Sequence, residues 1–429
     1  MTNNKDETIA AAIAVLRQND RGHYTVPTHG LYPFQWNWDS CLSALGQSHY
    51  DEDRAWTEIE TLFEHQWEDG MVPHIVFHEP DDGYFPGPDV WQTHRPVPTS
   101  GITQPAVAGF AIRRLYDRSP DKSKIATRAT TLLSKVNRWH EWFYRCRDPK
   151  ETGLVAIIHP WEAGRDNSVD WDVAFEEVPT EGVMPFTRRD TTHANPEHRP
   201  TQAQYERYIW LIQHFRNLGW DNTQLHDASP FQIVDPGFNG ILLRSCSDIA
   251  DLAAELGEQS ISKSSAAIVE KGLDAMESLW SDEFNQYLCM DRRRSELIQS
   301  PSIAGLLAIF AYIRQDRGKC IAARISDLGT RATYLVPSHD PAAPEFDGSR
   351  YWRGPVWLIV NYMIADGLQR IKEHTTADAI VRSSLELIAH NGLAEYYDPH
   401  TGAGCGGAQF TWTAAMVLEF LQMQTPKTE

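Results

Sequence analysis

The chain has 429 residues, 41% of them apolar, enough to bury a large core, and a length prior alone gives about two or three domains. Its 39 basic against 58 acidic residues leave a net charge of -19, which argues against nucleic acid or an anionic membrane as the main partner. Any anionic small molecule must therefore meet a local cationic pocket.

Ile9, Ile13 and Leu16 at helical spacing predict a first helix over residues 6–17, closed by Asn19-Asp20. A loop runs through Tyr32-Pro33-Phe34-Gln35-Trp36-Asn37-Trp38-Asp39, and Cys41, Leu42, Ala44 and Leu45 begin a second helix with Asp39 where an N-cap would stand. Residues 51–68 read as an amphipathic helix. Residues 70–100 are rich in Pro, Gly and His without periodicity, a long loop of the kind that forms lids or binding surfaces. Helical pattern returns at 102–117, 121–146, 200–218, 237–256, 260–280, 299–315, 319–334, 354–372, 375–391 and 410–424, which makes about thirteen helices. Leu154-Val155-Ala156-Ile157-Ile158 is the one candidate strand.

Related turns follow three helices, at Asp148-Pro149, Trp280-Ser281-Asp282 and Asp398-Pro399, and a weak repeat of helix pairs with long loops at one end predicts a closed ring of hairpins. No linker or low-complexity tract divides the chain, so one domain over 1–429 is expected, with 70–100 and 160–200 as lid or cap. The six cysteines have no paired spacing suited to zinc or a redox motif and fit free thiols in a reducing cytosol. The start, Met1-Thr2-Asn3-Asn4-Lys5-Asp6-Glu7, lacks a signal peptide's apolar core, and no run reaches the roughly 18 apolar residues of a membrane span. A soluble, cytoplasmic protein is expected.

The densest chemistry lies at His159-Pro160-Trp161-Glu162-Ala163-Gly164-Arg165-Asp166-Asn167-Ser168-Val169-Asp170-Trp171-Asp172, which holds four carboxylates, two indoles and one glycine with neither helical nor alternating spacing. Indoles offer flat apolar faces of the kind sugar rings stack on, and close carboxylates can be pushed to different pKa values. The fifteen tryptophans and fifteen tyrosines of the chain, many beside Gly or Pro, strengthen a carbohydrate reading. No His-Glu-x-x-His, glycine-rich phosphate loop or Gly-x-Ser-x-Gly elbow is present, so no metal or cofactor is expected. His65, His74, His78 and His94 crowd one region but fit no single helix face. Paired carboxylates remain as the chemistry, one to protonate a leaving oxygen and one to attack or activate water. Candidates are Asp39, the group Glu162, Asp166, Asp170 and Asp172, and the pair Glu395 and Asp398. Asp39 also reads as a helix cap, Asp170 and Asp172 as solvated charges, and Asp398 as a turn former.

Trp36-Asn37-Trp38-Asp39, Trp161-Glu162-Ala163-Gly164-Arg165-Asp166-Asn167-Ser168, Tyr351-Trp352-Arg353-Gly354-Pro355-Val356-Trp357, Glu395-Tyr396-Tyr397-Asp398-Pro399 and Phe410-Thr411-Trp412-Thr413 together resemble glycoside hydrolase family 63 and its trehalase relatives. Within that family the compact chain is most similar to the bacterial mannosylglycerate and glucosylglycerate hydrolases. The resemblance implies an all-α (α/α)6 barrel and an inverting hydrolysis of a small anionic glycoside, with Asp166 as general acid and Glu395 as base. It implies a sugar pocket of Tyr32, Trp36, Trp38, Asp39, Gln104, Trp161, Gly164, Tyr351, Trp352, Trp357 and Gln409. It also implies a glycerate site at Arg199 and Tyr205, with Tyr84 closing over the ligand; Pro200, a good first helical residue, sets Arg199 just before a helix, so guanidinium and helix N-terminus are expected to face one anion. Departures from the family pattern are Ala163, Arg165 and Val169-Asp170. A guanidinium beside the acid would lower its pKa, so Arg165 is expected to point away from Asp166. The rival readings are a trehalase or oligosaccharide glucosidase and a glycan-binding helical toroid without turnover.

Overall fold

The computed structural model describes residues 2–193 and 195–424, and they are mostly helical. In chain order the helices are α1 (Thr2–Gln18), α2 (Asn37–Gln47), α3 (Glu52–Glu64), α4 (Pro88–Trp91), α5 (Ala108–Arg118), α6 (Lys122–Arg147), α7 (Asp172–Glu176), α8 (Asp190–His193) and α9 (Gln202–Asn217). There follow α10 (Asn222–Ala228), α11 (Pro236–Glu255), α12 (Gln259–Met276), α13 (Ile303–Leu307), α14 (Gln315–Leu328), α15 (Leu358–Arg370), α16 (His374–Asn391) and α17 (Thr411–Met423).

Burial divides these helices into two kinds. Every residue of α2 is buried, as are Leu358–Leu368 of α15 and Thr411–Phe420 of α17, whereas α12 buries Ser265, Gly272 and Met276 and leaves the rest at or near solvent. A helix enclosed on all sides belongs to an inner layer, and one with a single covered stripe belongs outside it. The inner helices pack in succession: α2 on α5, α5 on α11, α11 on α13 and the 3-10 turn Ala308–Phe310, that turn on α15, α15 on α17, and α17 on α2. Outside them α3 packs on α2, α6 on α5 and α11, α12 on α11, α16 on α15, and α1 on α17. At the α2–α17 contact a Cβ on Gly46 would lie 2.7 Å from the Ala415 backbone, so glycine sets how closely these helices meet. α11 starts with Pro236 behind Asp235, whose Oδ1 accepts from the Gly237 and Phe238 N–H groups at 2.8 and 3.2 Å.

The structure corrects several expectations. Asp39 is not the cap of α2; Trp36 holds that position and Asp39 lies in the first turn. The helix expected at 299–315 is the short α13 and the 3-10 turn after it, because Pro301 favours an extended residue before it and Ser302 caps the first turn. α5 begins at Ala108, not 102, after the break at Pro105, and α15 begins at Leu358, not 354, after Pro355. Leu154–Ile158 forms no strand, and Ile157 makes a single bridge to Ile233. The 70–100 stretch is largely built into the body: Ile75–Val76 pairs antiparallel with Gln35–Trp36, and α4 lies within it. The 160–200 stretch holds α7, α8 and three 3-10 turns. All six cysteines are free, and among the described residues no helix is long and apolar enough to cross a membrane.

Candidate active site

One cavity opens where the loops before the inner helices converge. The strand pair at Gln35–Trp36 puts Trp36 and the first turn of α2 against the 70–104 stretch, where the Asn37 N–H donates to the His74 carbonyl at 3.0 Å and the Trp38 N–H to Gln104 Oε1 at 3.2 Å. Gly164 closes the 3-10 turn Pro160–Ala163 with a left-handed φ of +68°. A Cβ there would sit 2.6 Å from the Trp38 ring, so this turn passes over that indole only as glycine.

Two residues on, Asp166 is freed from its neighbour. The Arg165 guanidinium donates to Asp170 Oδ2 at 2.9 Å and to Asp235 Oδ2 at 2.8 Å, and it lies over the Trp171 ring. Trp171 Nε1 donates to the Arg165 carbonyl and the Tyr208 hydroxyl to the Asp166 carbonyl, each at 2.7 Å. Arg165 thus points away from Asp166, as the charge argument required, and the backbone on both sides of the acid is pinned. Burial pushes the Asp166 carboxyl up to about 7; Arg199 opposes this and Glu395 adds to it.

Glu395 faces the same cavity in a different setting. Its Oε1 accepts from the hydroxyls of Tyr351 at 3.0 Å and Tyr32 at 3.3 Å, and its Oε2 from the Gly407 N–H at 2.9 Å. Burial raises its pKa, while Arg199 and these three donors pull toward the ionised form. Among the described residues no side chain donates to the Asp166 carboxyl. Three donors meet one carboxyl and no described side chain meets the other, a difference in setting of the kind that acid and base work requires. Asp39, also on the cavity wall, is held well above the usual carboxylate range by burial and then by Glu395.

The cationic side comes from the 188–199 stretch. Arg199 donates from Nε to Asp190 Oδ2 at 3.2 Å and from Nη1 to the Tyr32 hydroxyl at 3.4 Å, and it covers the Tyr351 ring at 4.3 Å. Neither Glu197 nor Glu206 pairs with it. α9 begins at Gln202 and not at Pro200, and Thr201 with Gln204 completes a capping box that occupies the N–H groups of both residues. Tyr205 lines the cavity with its ring, while its hydroxyl is spent on the Phe85 carbonyl at 3.2 Å.

The cavity brings together Tyr32, Trp36, Trp38, Asp39, Tyr84, Gln104, Trp161, Gly164, Asp166, Arg199, Tyr205, Tyr351 and Glu395. It does not include Trp352, Trp357 or Gln409. Trp352 has a left-handed backbone (φ 60°), and its indole stacks on Trp357 at 3.8 Å, both fully buried behind Tyr351. The Gln409 side chain is exposed, and its carbonyl accepts from Asn19 at 3.0 Å. Asp398 accepts from the His400 and Thr401 N–H groups at 2.9 and 2.7 Å, as a turn former does. Asp170 is not a solvated charge but is buried on Arg165, while Asp172, partly exposed, is paired with Arg353. The histidine-rich region supplies His74 to the cavity, where it stacks on Trp161 at 6.2 Å, and among the described residues no group of three metal-ligating side chains gathers. Sequence reasoning missed Tyr208, Arg189, Asp190, Phe410 and Trp412 on the wall. Tyr208 was accessible as the i+3 neighbour of Tyr205, and Trp412 stands inside a motif already singled out.

Residues 32–413 match the family described as the mannosylglycerate hydrolase MGH1-like glycoside hydrolase domain. The chain belongs to this family. This glycoside hydrolase is 42% identical to mannosylglycerate hydrolase MGH1 of Selaginella moellendorffii, over 98% of its own length and 86% of the relative's. It is 31% identical to the glucosylglycerate hydrolase of Mycolicibacterium hassiacum, over 96% of this chain and 97% of that one. It matches the crystal structure of the GH63 mannosylglycerate hydrolase from Thermus thermophilus in complex with Tris and D-glycerate, with a TM-score of 0.94 at 44% identity, covering 97% of this chain and 100% of that one.

Proposed function

We propose that this glycoside hydrolase cleaves 2-O-α-glucosylglycerate or 2-O-α-mannosylglycerate to the free sugar and glycerate with inversion at the anomeric carbon. The observation that carries the reading is the contrast between the two carboxyls of one cavity. Asp166, raised to about 7, protonates the glycosidic oxygen as the bond to the leaving glycerate breaks. Glu395, held toward the carboxylate by Tyr32, Tyr351 and Gly407, takes a proton from a water on the opposite face of the sugar. Inversion needs room for that water, so the two carboxyls stand roughly 6.5 to 9.5 Å apart in this reading.

Trp36, Trp38 and Trp161 offer apolar faces to the sugar ring, and Asp39 and Gln104 fix its hydroxyls. Arg199, lying between Asp190 and Tyr32, takes the glycerate carboxylate in a protein whose overall charge is -19. The inner helices, each packed on the next until α17 meets α2 again, support one (α/α)6 barrel domain with the 70–100 and 160–200 loops as its cap. Six free cysteines support a reducing, cytoplasmic setting.

The test is release of free sugar from glucosylglycerate, mannosylglycerate and trehalose, measured side by side with purified protein. Turnover of either glycerate glycoside well above trehalose is the expected result. Trehalose as the better substrate would make the chain a trehalase, and no turnover of any would leave a binding protein.

A further inference from the structure

The cavity wall carries four carboxyls, Asp39, Asp166, Asp190 and Glu395, against the guanidiniums of Arg189 and Arg199. An anion entering this cavity needs positive charge that the protein has not already neutralised. Arg199 is committed: it donates to Asp190 and to Tyr32, and its field is shared with Glu395 and Asp166. Arg188 is committed as well, donating to both oxygens of Asp190 at 3.0 and 2.7 Å and to the Pro200 carbonyl at 2.7 Å.

Arg189, between Arg188 and Asp190 in the chain, has no ion-pair or hydrogen-bond partner among the described residues, and it lies exposed at the cavity. Its backbone is nevertheless fixed from both sides, because its two neighbours are tied to Arg199 and Pro200 on the wall. Phe186, three residues earlier, stacks on Phe85 of the cavity wall with ring centres 5.2 Å apart and planes at 6°. A long, exposed cationic side chain is thus presented on the cavity wall by a clamped segment, with no carboxylate among the described residues paired to it.

We propose that Arg189 is a specificity-determining contact for the carboxylate of the substrate's leaving group. It closes on that carboxylate from the solvent side while Arg199 holds it from the wall. The proposal rests on the reading above that the substrate is a glycoside of an acidic aglycone. It adds that the discrimination against neutral aglycones is divided between two arginines, the greater share of attraction from solvent falling to the uncommitted one.

The experiment compares Arg189→Gln and Arg189→Lys with wild type on a glucoside of glycerate and on the matching glucoside of glycerol, in which a hydroxymethyl group replaces the carboxylate. Thermal unfolding is recorded for each variant, and since the side chain is exposed, unchanged melting is expected. For Arg189→Gln the ratio of kcat/KM on the glycerate glucoside to that on the glycerol glucoside falls about tenfold, through KM rather than kcat. Arg189→Lys retains most of the ratio. A ratio within about twofold of wild type for Arg189→Gln overturns the role of Arg189 and leaves the substrate reading standing. Wild-type enzyme that shows no preference for the glycerate glucoside overturns the substrate reading itself, and the proposal with it.

Discussion

The Tyr351 hydroxyl donates to Oε1 of Glu395 at 3.0 Å, and the Tyr32 hydroxyl reaches the same oxygen at 3.3 Å. A donor to the ionised form lowers a carboxyl's pKa, so removing one raises it. Tyr351→Phe is therefore expected to move the acidic limb of the pH profile of kcat/KM to higher pH by about one unit, since a hydrogen bond to a charged group is worth about 1.5 to 3 kcal/mol. Activity at pH 5 falls more than activity at pH 7. An acidic limb that stays in place would mean that the hydroxyl does not set the protonation of the base.

Asp166→Asn and Glu395→Gln each preserve shape and remove proton chemistry. Each is expected to lower kcat by about 100 to 10,000-fold while the helical far-UV signal and the affinity for intact substrate stay close to wild type. Retention of more than about a tenth of wild-type kcat would remove the residue from its assigned role.

The stereochemical course is read separately. Proton NMR of the first sugar released from an α-linked substrate is expected to show the β-anomer before mutarotation. An α-anomer appearing first would require a covalent intermediate and a carboxyl pair closer than this reading places it.

Burial of Asp166 also predicts how stability depends on pH. Its carboxyl stands at about 7 in the folded chain against 3.8 when free, so between those values the folded state binds the extra proton. The folded state is relatively favoured below about pH 4 and loses that advantage as pH rises toward 7. Asp166→Asn lacks this dependence. The difference in melting temperature between variant and wild type should grow in the variant's favour from pH 4 to pH 8. A constant difference across that range would contradict a raised folded-state pKa.

Gly164→Ala places a methyl group 2.6 Å from the Trp38 ring at a backbone φ of +68°. Both effects cost stability, together about 1 to 3 kcal/mol. The loop that carries Asp166 shifts with them, so the expected outcome is a lower melting temperature together with a loss of kcat/KM larger than the loss from a surface Gly→Ala change such as Gly219→Ala.

The longer helices were legible because apolar residues recur at helical spacing over many turns, as Ile9, Ile13 and Leu16 do in α1. The short helices of the 70–100 and 160–200 stretches were not. α4 and α8 span four residues each, too few to display a period. In the site, the positions of Asp166 and Glu395 could be taken from motifs, but a motif does not state where a side chain points. Trp352 and Trp357 flank the cavity in sequence and lie behind it in space, because the left-handed turn at Trp352 stacks its indole on Trp357. Arg189 and Asp190 read as ordinary surface charge in the sequence. Only the fold brings Asp190 against Arg199, nine residues on.

Asp235 uses one oxygen to cap α11 and the other to hold Arg165, the residue before Asp166. That carboxylate therefore joins the framework to the reacting loop, and loosening of either costs the other a contact. Gradual warming should accordingly produce no interval in which the body is intact but the enzyme is idle. The half-life of activity at a given temperature and the half-life of the helical far-UV signal should coincide, so that for this protein heat inactivation is a measure of unfolding.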